Sequence, residues 1–212
     1  MPNTTYKRKY KKGTKANPVM KREMAKVANK VLKAHQESKF HDNDDLGSGI
    51  SDAGTLFDLS LIPQGDTDQT RDGDQIYLKS IMGRYSVTGS DNSNIIRVII
   101  VQYITENAGL TGTKILQALG AGAVFQNYAH DYKSQVRILY DKTHTMGNAT
   151  TASIPLVKTY KVMITKGFKR KIQYLGGGTN TVGGIRMFVV SDSAAASHPV
   201  IAFSLRLNYT DS

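Results

Sequence analysis

Apolar residues recur along this chain with two periods. From Gly54 onward they fall mostly at every second position, as on a strand with one buried face. The cleanest case is residues 199–210, where Ile201, Phe203, Leu205, Leu207 and Tyr209 alternate with Ala202, Ser204, Arg206 and Asn208. The same reading predicts strands over 54–62, 74–88, 94–104, 136–143, 156–166, 168–174 and 184–192, eight in all. Ile95-Ile96-Arg97-Val98-Ile99-Ile100-Val101 is apolar on both faces and predicts a central strand covered on both sides, or covered by a subunit contact. Gly83 falls where the apolar face of its strand changes sides, which predicts a bulge there. Asp72-Gly73, Ser90-Asp91-Asn92, Gly147-Asn148 and Gly176-Gly177-Gly178 supply turn chemistry between strands, and only residues 114–119 suggest a short helix. The expected fold is all-β: an antiparallel sandwich, barrel or jelly roll.

The second period is helical. Asn17-Pro18 reads as an N-cap followed by proline at the first helical position, and Met20, Met24, Val27, Val31 and Ala34 then recur every three or four residues. This predicts an amphipathic helix over 17–38. Residues 1–16 are too charged and too poor in apolar side chains to fold alone. Asp42, Asp44, Asp45 and Gly47-Ser48-Gly49 read as a hinge over 39–50, which divides an arm (1–45) from a body (51–212).

Charge sharpens that division. Twelve of the 28 Lys and Arg lie in the first 39 residues against two acids, Glu23 and Glu37, whereas from residue 40 onward 16 basic residues face 15 acidic ones. A near-neutral body carries a cationic arm, and clustered Lys and Arg gain by displacing counterions condensed on nucleic acid phosphates. The candidate phosphate contacts are Lys7, Arg8, Lys9, Lys11, Lys12 and Lys15 in the first run, then Lys21, Arg22, Lys26, Lys30 and Lys33 on the helix. Tyr6 and Tyr10, set among the cations, are candidates for stacking on unpaired bases. The plain alternative is a solvated basic tail with no dedicated ligand.

Catalytic and metal chemistry find little footing. There is no Cys, which removes disulfides, thiolate metal sites and Cys nucleophiles and fits a reducing compartment. His35, His41, His130, His144 and His198 are dispersed, without metal-ligand spacing, and read as surface or packing residues. The Gly-rich stretch 175–184 lacks the Gly-Lys-Ser/Thr ending of a phosphate cradle. Asp66, Asp68, Asp72 and Asp74 are the one candidate set for Ca²⁺, but their spacing is not that of an EF-hand and Arg71 stands among them, so a turn locked by Arg–Asp hydrogen bonds is the preferred reading. Lys166, Lys169, Arg170 and Lys171 form a second basic knot, either facing nucleic acid or solvated. No cofactor, secretion signal or membrane insertion is expected.

The arm, the basic helix and the β body, together with Ile62-Pro63-Gln64-Gly65 running into Arg71-Asp72-Gly73-Asp74-Gln75-Ile76, Arg137-Ile138-Leu139-Tyr140-Asp141-Lys142 and the closing Leu205-Arg206-Leu207-Asn208-Tyr209-Thr210-Asp211, resemble the capsid proteins of small circular Rep-encoding single-stranded DNA viruses; satellite plant virus coats share the layout. That resemblance implies a single eight-stranded antiparallel jelly roll, a closed icosahedral shell of about 60 copies, packaging of a single-stranded genome, expected to be DNA, and no enzymatic activity. It implies as partners further copies of the chain, the genome, the nuclear import machinery through residues 7–12, and a host receptor that the sequence does not identify. The virion, and the host nucleus during assembly, are the expected locations. The competing reading is a cellular non-specific nucleic acid-binding β-sandwich with a basic tail. A third, a carbohydrate-binding sandwich, leaves the arm idle.

Overall fold

The computed structural model describes residues 18–35, 37–89, 93–120, 122–146, 157–168, 171–176, 180–194 and 198–211, with side chains left aside at 29–35 and 107. Two units make up the chain, residues 1–36 and 37–212, and each is taken by itself. In the first, helix α1 spans Pro18–His35, and proline opens it as the sequence predicts, since its missing N–H costs nothing in the first turn. No described helix is long and apolar enough to cross a membrane.

In the second unit two antiparallel sheets face each other. The strands are β1 (Lys39–Gly49), β2 (Thr55–Asp58), β3 (Gln75–Thr88), β4 (Asn94–Tyr103), β5 (Val136–Met146), β6 (Val157–Ile164), β7 (Lys171–Tyr174), β8 (Thr181–Val182), β9 (Ile185–Ser191) and β10 (Val200–Asp211). The larger sheet runs β1-β10-β3-β7-β8, with β6 also on β3, and the smaller runs β2-β9-β4-β5. β6 pairs with the Ile81–Thr88 stretch of β3 and β7 with Gln75–Tyr77, so the two occupy one strand position. The chain crosses between sheets after β1, β2, β3, β5, β8 and β9, which is jelly-roll topology.

Alternation sets the core. Ile201, Leu205, Leu207 and Tyr209 of β10 turn inward and are fully buried, and they meet Ile96, Val98 and Ile100 of β4 and Met187 and Val189 of β9. Each such side chain contributes about 1.5–3 kcal/mol of burial. The other face of β4 is covered too: Ile99, Val101 and Tyr103 form a second cluster with Phe188 and Val190, under Leu110, Ile115, Leu116 and Val124. The covering comes from the connection between β4 and β5, which carries a short helix α2 (Gly112–Ile115), two residues earlier than the sequence suggested. This connection is core material and not a bare surface loop.

All eight strands expected from the alternation are present, but two features differ. The segment 39–50, read as a hinge, is β1, paired with β10 from Lys39↔Tyr209 to Gly49↔Val200. Its composition hides it because an edge strand pairs through its backbone and tolerates charge on its side chains. Here Asp42 bonds Arg206, and Asp45 accepts bonds from the Gly47 N–H and the Ser48 hydroxyl. The division of the chain accordingly falls at 36/37 and not after residue 45.

Gly83, expected to mark a bulge, pairs in unbroken register with Leu205 and Val162. The bulge lies at Lys79, where Leu78 and Ser80 oppose the adjacent Tyr209 and Asn208. It shifts the inward parity from Ile76 and Leu78 to Ile81, Tyr85 and Val87. Gly83 is glycine for another reason, because a Cβ there would lie 2.1 Å from the carbonyl oxygen of Ser204 on the neighbouring strand.

Candidate nucleic-acid interface

Of the residues assigned to phosphate or base contact, Tyr6, Lys7, Arg8, Lys9, Tyr10, Lys11, Lys12 and Lys15 lie outside the described residues. Lys21, Arg22 and Lys26 are described, and all three are exposed on α1. Arg22 and Lys26 stand one turn apart, and Lys30 and Lys33 continue the helix at the same three-to-four spacing. A row of cations along a helix can follow a phosphate chain, and among the described side chains of α1 Lys26 has a carboxylate partner, Glu23 at 2.8 Å. Such an exposed pair is worth about 0.3–0.5 kcal/mol and yields easily to a polyanion. Val19, Met20, Met24 and Val27 on α1 are 62–66% exposed.

Lys39 does not belong with these cations, although charge counting places it in the arm. It is 3% exposed, and its ammonium lies 2.5 Å from Asp72 and 3.0 Å from Asp211. Burial alone would depress its pKa, but hydrogen bonds to the two carboxylates outweigh that and raise it above the usual lysine range.

Three further cations of the body are held similarly. Arg206 forms a two-pronged bond with Asp42, both contacts 2.7 Å, and lies over the Phe40 ring. The guanidinium's hydrogen bonds hold the Asp42 carboxyl below its ordinary pKa. Arg97 grips Asp141 at 3.0 and 2.6 Å and donates to the Gln126 carbonyl, and Arg186 pairs with Asp58 at 2.8 Å.

The four carboxylates considered for Ca²⁺ are not brought together. Arg71, 1% exposed, stacks on Tyr174 and donates to the carbonyls of Ile62 and Gly73 and to Asp74, while Asp72 faces Lys39. Asp66 and Asp68 are exposed. Among the described residues no group of three or more His, Asp or Glu is gathered for a metal.

Of the second basic knot, Lys166 and Lys171 are exposed, while 169 and 170 lie outside the described residues. A sum over the whole body missed a further set of exposed cations, Lys79, Arg84 and Lys161, because acids elsewhere cancel them. The signal was readable strand by strand: β3, β6 and β7 contain no Asp or Glu.

No family model matches the chain, and no curated protein matches it in sequence. Among solved structures it is similar to that of Desmodium yellow mottle tymovirus, with a TM-score of 0.41 and 10% identity over 82% of this chain and 86% of that one. It is also similar to a structure of turnip yellow mosaic virus at 100 K, with a TM-score of 0.37 and 14% identity over 83% of this chain and 93% of that one.

Proposed function

We propose that this chain is a virus coat protein, a structural and non-enzymatic subunit that closes with about 60 copies of itself into a shell and packages a single-stranded genome through its N-terminal cations. One observation carries the reading, the segregation of charge. The cations before residue 37 sit in their own unit, and the described ones are exposed. Lys39, Arg71, Arg97, Arg186 and Arg206 of the body are instead each held by carboxylates. A jelly roll suits this division of labour, since its sheets and loops present several faces to neighbours while the arm neutralises phosphate. About ten charges on each of about 60 copies supply on the order of 600 positive charges, one per phosphate neutralised. Phosphate contacts carry no base information, so packaging is non-specific in sequence. DNA, and with it passage through the nucleus by way of residues 7–12, follows the resemblance set out above.

The test is to purify the full chain, follow it by size-exclusion chromatography and electron microscopy, and type the co-purified nucleic acid with DNase and RNase. Uniform closed particles holding DNase-sensitive material are expected. A monomer that persists at high concentration overturns the shell. RNase-sensitive contents overturn DNA and leave the shell standing.

A further inference from the structure

The outward face of the larger sheet is divided by charge. On its β1 side Arg206 is met by Asp42 and lies in the field of Asp44 and Asp68 as well. On the β3, β6 and β7 side there is no acid at all, and Lys79, Arg84, Lys161 and Lys171 are exposed. Arg84 and Lys161 are direct cross-strand partners, a like-charge pair that costs stability wherever nothing neutralises it. Among the described residues none of these four lies within ion-pair distance of a carboxylate.

Apolar groups are interleaved with the cations along β3. Tyr77, partner of Lys171, is 39% exposed, and the next pair down the ladder, Met82 and Met163, is 36% and 64% exposed. A groove of about 300 Å³ borders Arg84, with the hydroxyls of Ser86, Thr159 and Ser204 on its walls. Its one carboxylate, Asp45, already accepts bonds from Gly47 and Ser48.

We propose that this half-face is a second contact surface for single-stranded nucleic acid, in which Lys79, Arg84, Lys161 and Lys171 hold backbone phosphates while Tyr77, Met82 and Met163 take up sugar and base faces. The inference rests on the function proposed above and deepens it. Cations with interleaved aromatic and apolar side chains are the composition that tracks an unpaired strand. A second copy of the body is a poorer fit, because its opposing acidic rim already serves Arg206 through Asp42 and its own turn through Asp45.

The test uses the full chain and a fluorescein-labelled oligothymidylate titrated at several salt concentrations. The variant Arg84→Gln/Lys161→Gln/Lys171→Gln is compared with an arm variant in which Lys7, Arg8, Lys9, Lys11, Lys12 and Lys15 become Gln. Each lost phosphate contact removes about 0.7 from the log–log salt slope, so the triple variant is expected to lose about 2 from it, with particles and thermal midpoint retained. An unchanged slope beside a reduced slope in the arm variant overturns this face and leaves the arm. Unchanged slopes in both overturn both. An unchanged slope with lost particles makes the face a contact between copies and overturns the proposal. Should the triple variant fail to fold, lysine acetylation of the native chain decides: the oligonucleotide is expected to protect Lys161 and Lys171, and equal labelling with and without it overturns the proposal.

Discussion

His144 is stacked on Tyr160, ring centroids 3.7 Å apart, inside the edge where β5 and β6 approach each other. Its Nε2 lies 2.7 Å from the Tyr85 hydroxyl, which a neutral ring can accept and a protonated ring cannot. Burial, with Lys142 and Lys158 adding repulsion, pushes the His144 pKa down to about 4.

The sign of the pH effect follows. The unfolded chain binds a proton on this histidine near pH 6.5 and the folded chain only near pH 4, so the neutral ring's contribution is whole above pH 6.5 and is lost as pH falls through that window. The loss is roughly 2 kcal/mol at its end, less than the full shift implies because solvent reaches the edge. His144→Phe is expected to flatten the thermal midpoint between pH 7 and pH 4.5 relative to the native chain. Equal pH dependence in the two would show that the ring is protonated in the fold.

Lys39 and Lys26 predict opposite outcomes from one change. Lys39→Ala leaves Asp211, 15% exposed, without its cation and is expected to cost about 2–4 kcal/mol in denaturant unfolding. Lys26→Ala, on the open surface of α1, is expected to change stability by less than about 0.5 kcal/mol and to weaken oligonucleotide binding instead. A stable Lys39→Ala protein would return that residue to the arm.

Chelation is expected to leave the thermal midpoint unmoved, because Arg71 engages Asp74 and Lys39 engages Asp72. A bound Ca²⁺ would stabilise by mass action, so a drop in EDTA that added Ca²⁺ reverses would contradict the arrangement. Arg71→Ala should destabilise by about 3 kcal/mol either way, since it strips donors from two carbonyls and a carboxylate.

Gly83→Ala is expected to force β3 and β10 apart, since its Cβ would lie 2.1 Å from one backbone atom and 2.9 Å from another. A loss of more than about 2 kcal/mol, or no soluble protein, is the expected result. Gly176→Ala is the control: nothing lies within 4 Å of its Cβ, and the cost there comes only from the left-handed backbone at φ +62°.

Much of the larger architecture is written in periodicity. β10 alternates because one face meets the core and the other meets solvent, and β4 is apolar throughout because both of its faces are covered. β1 was illegible for the converse reason: as an edge strand it draws on backbone pairing with β10, and its aspartates serve Arg206 and a local turn, so its composition reads as a loop. The bulge was legible but misplaced. Leu78 and Ile81, both inward although three positions apart, mark the change of parity around Lys79, whereas Gly83, the residue without a side chain, lies beyond it. Lys39 could not be separated from the arm by counting, because its partners lie 33 and 172 positions away in sequence.

The position of β1 has a mechanical consequence. Its ladder has one neighbour, β10, and its first rung, Lys39 opposite Tyr209, is where the N-terminal segment joins the sheet. Force applied to the chain before residue 39 therefore enters the body at a strand end, ahead of the other rungs. The first of them is the best defended: Lys39 is tied to Asp72 and Asp211, and the Phe40 N–H is bonded to the Asp68 carbonyl 3.0 Å away. Separating β1 from β10 from this end must break these bonds before it reaches the Asp45–Ser48 irregularity, so the strand is fastened where the chain enters the sheet.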